Sequence, residues 1–73
     1  MLKGGVLMTM IPVSSSRIRS VGWENNTMHV KFHNGVTYAY DNVTSFEYEN
    51  FMNSSSLGSM LSILDKTHSY HPL

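Results

Sequence analysis

The chain has no cysteine, which removes both a disulfide framework and a thiolate zinc site as ways to reinforce a small fold. It has no excess of either charge. Five Lys and Arg stand against five Asp and Glu, so the bulk attraction to phosphate backbones that a basic domain exerts is missing. No apolar run approaches the roughly 20 residues of a membrane span, and the N-terminus lacks the apolar region and small-residue cleavage pattern of a secretory signal. A cytoplasmic protein without membrane contact is expected. With 73 residues there is one domain at most, of a size that buries only about 60% of its unfolded surface. Little room is left for a catalytic cleft, so the expectation is a binding module and not an enzyme.

Residues 1–10 read as a flexible or read-through segment. Lys3-Gly4-Gly5 is the tripeptide that a purine-rich bacterial ribosome-binding sequence would encode, a few codons before Met8. A start at Met8 or Met10 in a bacterial or viral gene follows from that reading, and a genuine N-terminal segment is the alternative. Residues 11–66 carry the domain and 67–73 form a tail, in which Pro72 ends any helix.

From Arg17 to Tyr40 the chain is rich in Val, Ile, Thr, Tyr, Phe and Trp and is punctuated by Asn25-Asn26 and Asn34-Gly35, which predicts two hairpins. Strands are expected at about 17–24, 27–33 and 36–40. Thr44-Ser45-Phe46-Glu47 is a capping box and predicts a helix reaching Asn53, packed through Phe46, Tyr48 and Phe51. The serines at 54–56 interrupt it. Leu57, Met60, Leu61 and Leu64 then give the i, i+3, i+4, i+7 stripe of a second helix. The expected fold is α+β: three antiparallel strands, with a fourth available from the N-terminal segment, followed by two short helices packed on one face.

A two-residue turn at Asn34-Gly35 sets His33 opposite Val36 and Val30 opposite Ala39. Alternation then puts Val21, Trp23, Met28, Val30, Phe32 and Ala39 on a core face, and His29, Lys31, His33, Val36, Tyr38 and Tyr40 on the other. That second face combines flat aromatic platforms with three side chains that carry or can gain positive charge, and such a surface can bind. It is equally the kind of face that an N-terminal segment, a tail or a second copy covers, so a homodimer is a further arrangement the pattern allows. Arg17 and Arg19, two apart, emerge together from a regular strand and would clamp phosphate or carboxylate. His68 and His71 are the metal-ligand candidates. Zinc usually needs three or four protein ligands, so ordinary surface histidines and no cofactor are expected.

With its flanks, the Tyr38-Ala39-Tyr40 step resembles the centre of the KTSC domain, a short bacterial and phage domain also appended to some lysyl-tRNA synthetases. Val13-Ser-Ser-Ser-Arg-Ile18 looks like the family's opening, Gly22-Trp23-Glu24 like its Gly-aromatic-acid step, and Thr27 to Tyr40 like its strand, turn and Y-x-Y core. Ser56-Leu57-Gly58 looks like its Ser-x-Gly step. Thr44 departs from the usual proline, and the C-terminal part matches poorly. The resemblance implies no catalysis, and RNA binding has been suggested from the synthetase association. Solitary copies in phages and prophages suggest a small protein that binds and blocks a host enzyme. Two partner classes therefore follow. One is a protein, for instance a host defence nuclease inhibited in the manner of an anti-CRISPR; the other is RNA or single-stranded nucleic acid stacked on Tyr38 and Tyr40. Overall charge neutrality favours the protein.

Overall fold

Alternating apolar residues between Ile18 and Tyr40 build most of a five-stranded antiparallel sheet in the computed structural model, which describes residues 8–73. In chain order the elements are β1 (Ile11–Pro12), β2 (Ile18–Glu24), β3 (Thr27–Phe32), β4 (Thr37–Tyr40), α1 (Ser45–Met52), α2 (Leu57–Thr67) and β5 (Tyr70–Pro72). The strands lie side by side in that same order. The α+β class and the two helices after the β2–β4 strands are as expected, but the sheet has five strands, not three or four, and the fifth follows the helices. Both additions are edge strands of two or three residues that contain a proline, too short to show a period. Proline lacks the N–H for a ladder and belongs at such edges. Part of the expected tail is thus the last strand. Expectations about residues 1–7 lie outside the described residues.

Asn25 and Asn26 both take positive φ, 52° and 62°, the demand of a type I′ turn. Glu24 faces Thr27 and Trp23 faces Met28, as the sequence predicts. The second hairpin differs. Gly35 N–H donates to Phe32 O at 2.9 Å and Phe32 N–H to Val36 O at 2.9 Å, so the loop has three residues, His33 to Gly35. Gly35 alone among them has positive φ, 92°, the pattern of a type I turn followed by a left-handed glycine. Asn34 spends its side chain instead, accepting from Val36 N–H at 3.0 Å.

That one extra residue moves β4 by one place. Met28 faces Tyr40, His29 faces Ala39 and Val30 faces Tyr38. Because side chains alternate with period two, a shift of one turns the whole strand over. Tyr38 and Tyr40 therefore face inward with Met28 and Val30, and Ala39 faces outward, which reverses the face assignment predicted for β4. A bulge between Ile18 and Ser20 lets Ile18 and Val21, three apart, both reach the core.

The inner face carries the helices. Ile18, Val21, Met28, Val30, Tyr40, Val43, Phe51 and Leu61 are almost fully withdrawn from water. Each such side chain contributes about 1.5–3 kcal/mol, and a domain this small depends on nearly all of them. The Thr44 hydroxyl accepts from Glu47 N–H at 3.2 Å and Glu47 Oε1 accepts from Thr44 N–H at 3.0 Å, so the capping box forms. Tyr48 packs under the helix, its ring stacked on Trp23 at 6.1 Å, while Trp23 Nε1–H donates to Val43 O at 2.7 Å. Phe46 does not join them: it is 69% exposed, because Tyr48, Phe51 and Met52 define the inward stripe and position 46 falls off it. In α2 the predicted stripe holds, with Leu61 and Leu64 buried and Leu57 and Met60 packed against the core.

On the outer face, residues 8–10 cross β2 at Gly22. A Cβ there would lie 2.8 Å from Thr9 O, Met8 Cγ and Met10 Sδ, so the close approach requires glycine. Among the described residues, no helix is long and apolar enough to cross a membrane.

Candidate binding cleft

The inner face is only partly covered. Towards the β3–β4 loop it opens into a cleft of about 430 Å³ lined by Ser16, Arg17, Phe32, His33, Asn34, Val36 and Tyr38. Its apolar wall follows from the register: Phe32 is the last inward residue of β3, and Tyr38 stands edge-on to it with ring centroids 5.6 Å apart. The Arg17 guanidinium lies 6.0 Å from the Phe32 ring centroid, an arrangement in which a cation is drawn to the ring quadrupole while its edge stays in water.

The rim is held by hydrogen bonds. Ser15 Oγ accepts from the amides of Arg17 and Ile18, both at 3.2 Å. His33 N–H donates to Arg17 O at 3.1 Å, and His33 Nε2 is 2.9 Å from Ser15 O, where the ring nitrogen must be the donor. The segment leading into β2 is thereby tied to the hairpin loop across the cleft.

A ladder of rings continues from this wall. Tyr38 stacks on Tyr70 at 5.4 Å, and Tyr70 on Tyr40 at 5.0 Å. Tyr40 closes the ladder inside the protein: it is 1% exposed and its hydroxyl donates to Asp65 Oδ1 at 2.6 Å. Burial first, and the Asp65 carboxylate second, push its pKa far above the ordinary tyrosine value. It is a structural residue and offers no platform to a ligand.

The remaining candidates separate. Arg17, His33 and Tyr38 meet at the cleft. Arg19 is the extra residue of the β2 bulge and does not line the cleft, so the expected arginine pair is not formed there. His29 and Lys31 lie on the outer face, where His29 shares a shallow depression with Met8, Glu24, Asn25 and Thr27. His71 sits across from Ala39 on β5. The His68 ring is committed to structure, with Nδ1 2.9 Å from Asp41 O and Nε2 2.8 Å from Glu47 Oε2. It joins the end of α2 to the start of α1. Among the described residues no group of three or more His, Asp or Glu could hold a metal ion.

The model of the KTSC domain family matches residues 14–66. The chain belongs to the KTSC domain family. The crystal structure of a KTSC domain protein from Yersinia pestis has a TM-score of 0.84 and 31% sequence identity to it, covering 92% of this chain and 99% of that one. No curated protein matches. In this KTSC domain the two tyrosines of the central Tyr38-Ala39-Tyr40 step face the core side, where a strict two-residue turn would have placed Ala39 instead. The residues missed from the sequence are Phe32, Ser16 and Asn34 at the cleft and Tyr70 in the ladder. The third-position glycine of His33-Asn34-Gly35 was the available signal for the three-residue loop that sets Asn34 at the cleft and for the register that turns Tyr38 towards Phe32.

Proposed function

We propose that this KTSC domain is a non-enzymatic binding module that recognises a protein partner through the cleft between the segment leading into β2 and the β3–β4 loop. The observation that carries the reading is Arg17, a cation held against an aromatic wall at the mouth of an open cleft. Among the described residues the one ion pair is His68 with Glu47, and residues 1–7 contain no acidic side chain, so Arg17 has no carboxylate partner. Arginine and aromatic side chains beside an apolar depression are the usual anchors of protein interfaces. Stacking of successive nucleic-acid bases needs flat, free ring faces, and here Tyr40 is buried, Tyr70 takes one face of Tyr38, and Phe32 meets Tyr38 edge-on and not as a continuous platform. Blocking a host nucleic-acid-processing or defence enzyme, the role suggested by the sequence, is one use of such a module, which acts by occupying a surface.

The test is affinity capture from bacterial lysate with and without nuclease. It compares wild type, the cleft variant Arg17→Ala/Val36→Lys and the outer-face variant His29→Ala/Lys31→Ala. A nuclease-resistant protein kept by the outer-face variant and lost by the cleft variant is the expected result. Loss with the outer-face variant alone, or RNA that disappears with nuclease, would overturn the reading.

A further inference from the structure

Net neutrality hides a separation of charge. Ile18 faces Phe32 and Ser20 faces Lys31 at one end of the β2–β3 ladder, so Arg17, Arg19, Lys31 and His33 gather there. Glu24 faces Thr27 at the other end, and Asp41 follows β4 on that side, beside Tyr40 opposite Met28. The cleft opens at the positive end, where no Asp or Glu lines it. A neutral molecule with its charges divided in this way still steers an anionic group towards one pole.

Most backbone amides around the cleft are already bonded, and the two without a bond among the described residues, Ser16 and Asn34, lie on separate segments and form no nest. The amides of Phe32, His33 and Gly35 are bonded to backbone carbonyls, that of Arg17 to Ser15 Oγ and that of Val36 to Asn34 Oδ1. Capture of a chain's terminal carboxylate relies on free backbone amides arranged as a nest, and phosphate recognition draws on the same donors or on several cations. Here the guanidinium of Arg17 is the principal charged donor at the mouth, its planar fork matched to a single carboxylate. Behind it stand Phe32, Val36 and Tyr38, a wall for an apolar side chain.

From these contacts we infer that the cleft recognises an internal protein segment presenting an Asp or Glu side chain next to an apolar residue, the carboxylate on Arg17 and the apolar group against Phe32, Val36 and Tyr38. The inference rests on the protein-binding reading above and names the partner's chemistry.

The experiment is an NMR titration of the whole chain with acetyl-Ser-Gly-Leu-Glu-Gly-Ser-amide. Its Gln-for-Glu analogue, a Leu-ending peptide with a free terminal carboxylate and an oligouridylate are the other probes. The Glu peptide should shift resonances of Arg17, Phe32, Val36 and Tyr38. The Gln analogue should bind about three- to tenfold more weakly, the range between an exposed ion pair and a bidentate charge-assisted one. Arg17→Gln, whose side chain is exposed, should remove that preference while the thermal midpoint falls by no more than a few degrees, the loss of one exposed cation–π contact. Equal binding of the Glu and Gln peptides, or no shifts at all, overturns the inference, as does tighter binding of the free-carboxylate peptide or of oligouridylate. If lysate capture depends on the cleft while the Glu and Gln peptides bind alike, the carboxylate assignment falls and the binding cleft stands. If capture ignores the cleft variant, both fall.

Discussion

Replacing Tyr40 with phenylalanine removes one oxygen from the inner face of β4 and tests the register directly. The hydroxyl donates to Asp65 at 2.6 Å from a residue 1% exposed. A hydrogen bond to a charged group is worth about 1.5–3 kcal/mol. Asp65 itself is exposed and regains water when the donor goes, so a loss near the lower end, about 1–2 kcal/mol, is expected. In a domain of this length each kcal/mol moves the thermal midpoint by about 4–8 °C, which gives a fall of about 5–15 °C. Tyr38→Phe is the control, since among the described residues its hydroxyl makes no hydrogen bond; a change within about 0.5 kcal/mol is expected. The pH dependence adds a second readout. Burial, then Asp65, raise the Tyr40 pKa above its unfolded value of 10.0, so the folded state holds this proton longer than the unfolded one. Its contribution is complete below pH 10 and declines as pH rises beyond it, by up to about 1.4 kcal/mol per pH unit. Tyr40→Phe lacks that decline. Urea denaturation followed by Trp23 fluorescence at pH 7 and pH 10.5 measures both. A Tyr40→Phe protein as stable as wild type, with Tyr38→Phe destabilised, would place β4 in the opposite register and refute the reasoning.

The Glu47 carboxyl is held below the usual carboxylate range by the Thr44 amide first and the His68 ring second. A depressed folded pKa gives stabilisation that is present above about pH 4.5 and lost as pH falls through the folded value. The urea midpoint should therefore drop between pH 7 and pH 3 by less in Glu47→Gln than in wild type. Gly22→Ala sets a methyl against the Thr9 carbonyl as well as two flexible methionines. The expected outcome is release of residues 8–10, read as Met8 and Met10 methyl resonances at random-coil positions while β2–β3 cross-strand contacts persist; unmoved methyl resonances would contradict it.

Much of the fold was legible because its signals are local. The capping box at Thr44 and Glu47, the paired asparagines at 25–26 and the leucine stripe of α2 each report on a single turn or helix, and each forms as read. The β4 face was not legible from the Asn-Gly pair alone. That dipeptide fits either a two-residue turn with both residues left-handed or a three-residue loop with the glycine left-handed, and the two differ by one place in the strand. Burial decides between them: the three-residue loop sends two tyrosines inward and one alanine out, which withdraws far more apolar surface from water. The same shift carries Val36 and Tyr38 over to the face of Phe32, beside Arg17, and leaves His29 and Lys31 on the opposite face without them. β5 was illegible for another reason. Tyr70–Pro72 is too short to show alternation, and its place is fixed by Tyr70 stacking between two rings some 30 positions earlier in the chain.

Every pair of neighbouring strands in this sheet follows directly along the chain except the last. The loops joining β1 through β4 are short, whereas the connection from β4 to β5 encloses both helices. Closing that connection costs more chain entropy than closing either hairpin, so Tyr70 is expected to dock after the helices have packed. Tyr70→Ala should then speed unfolding while leaving the refolding rate almost unchanged, and a slowed refolding limb in stopped-flow measurements would contradict that order. On that expectation the final strand is a latch, fastened last over the tyrosine ladder and first to open. Because Tyr70 leans on Tyr38 and Tyr38 also lines the cleft, an occupant that packs on that ring should hold the latch tighter, measured as slower unfolding in its presence.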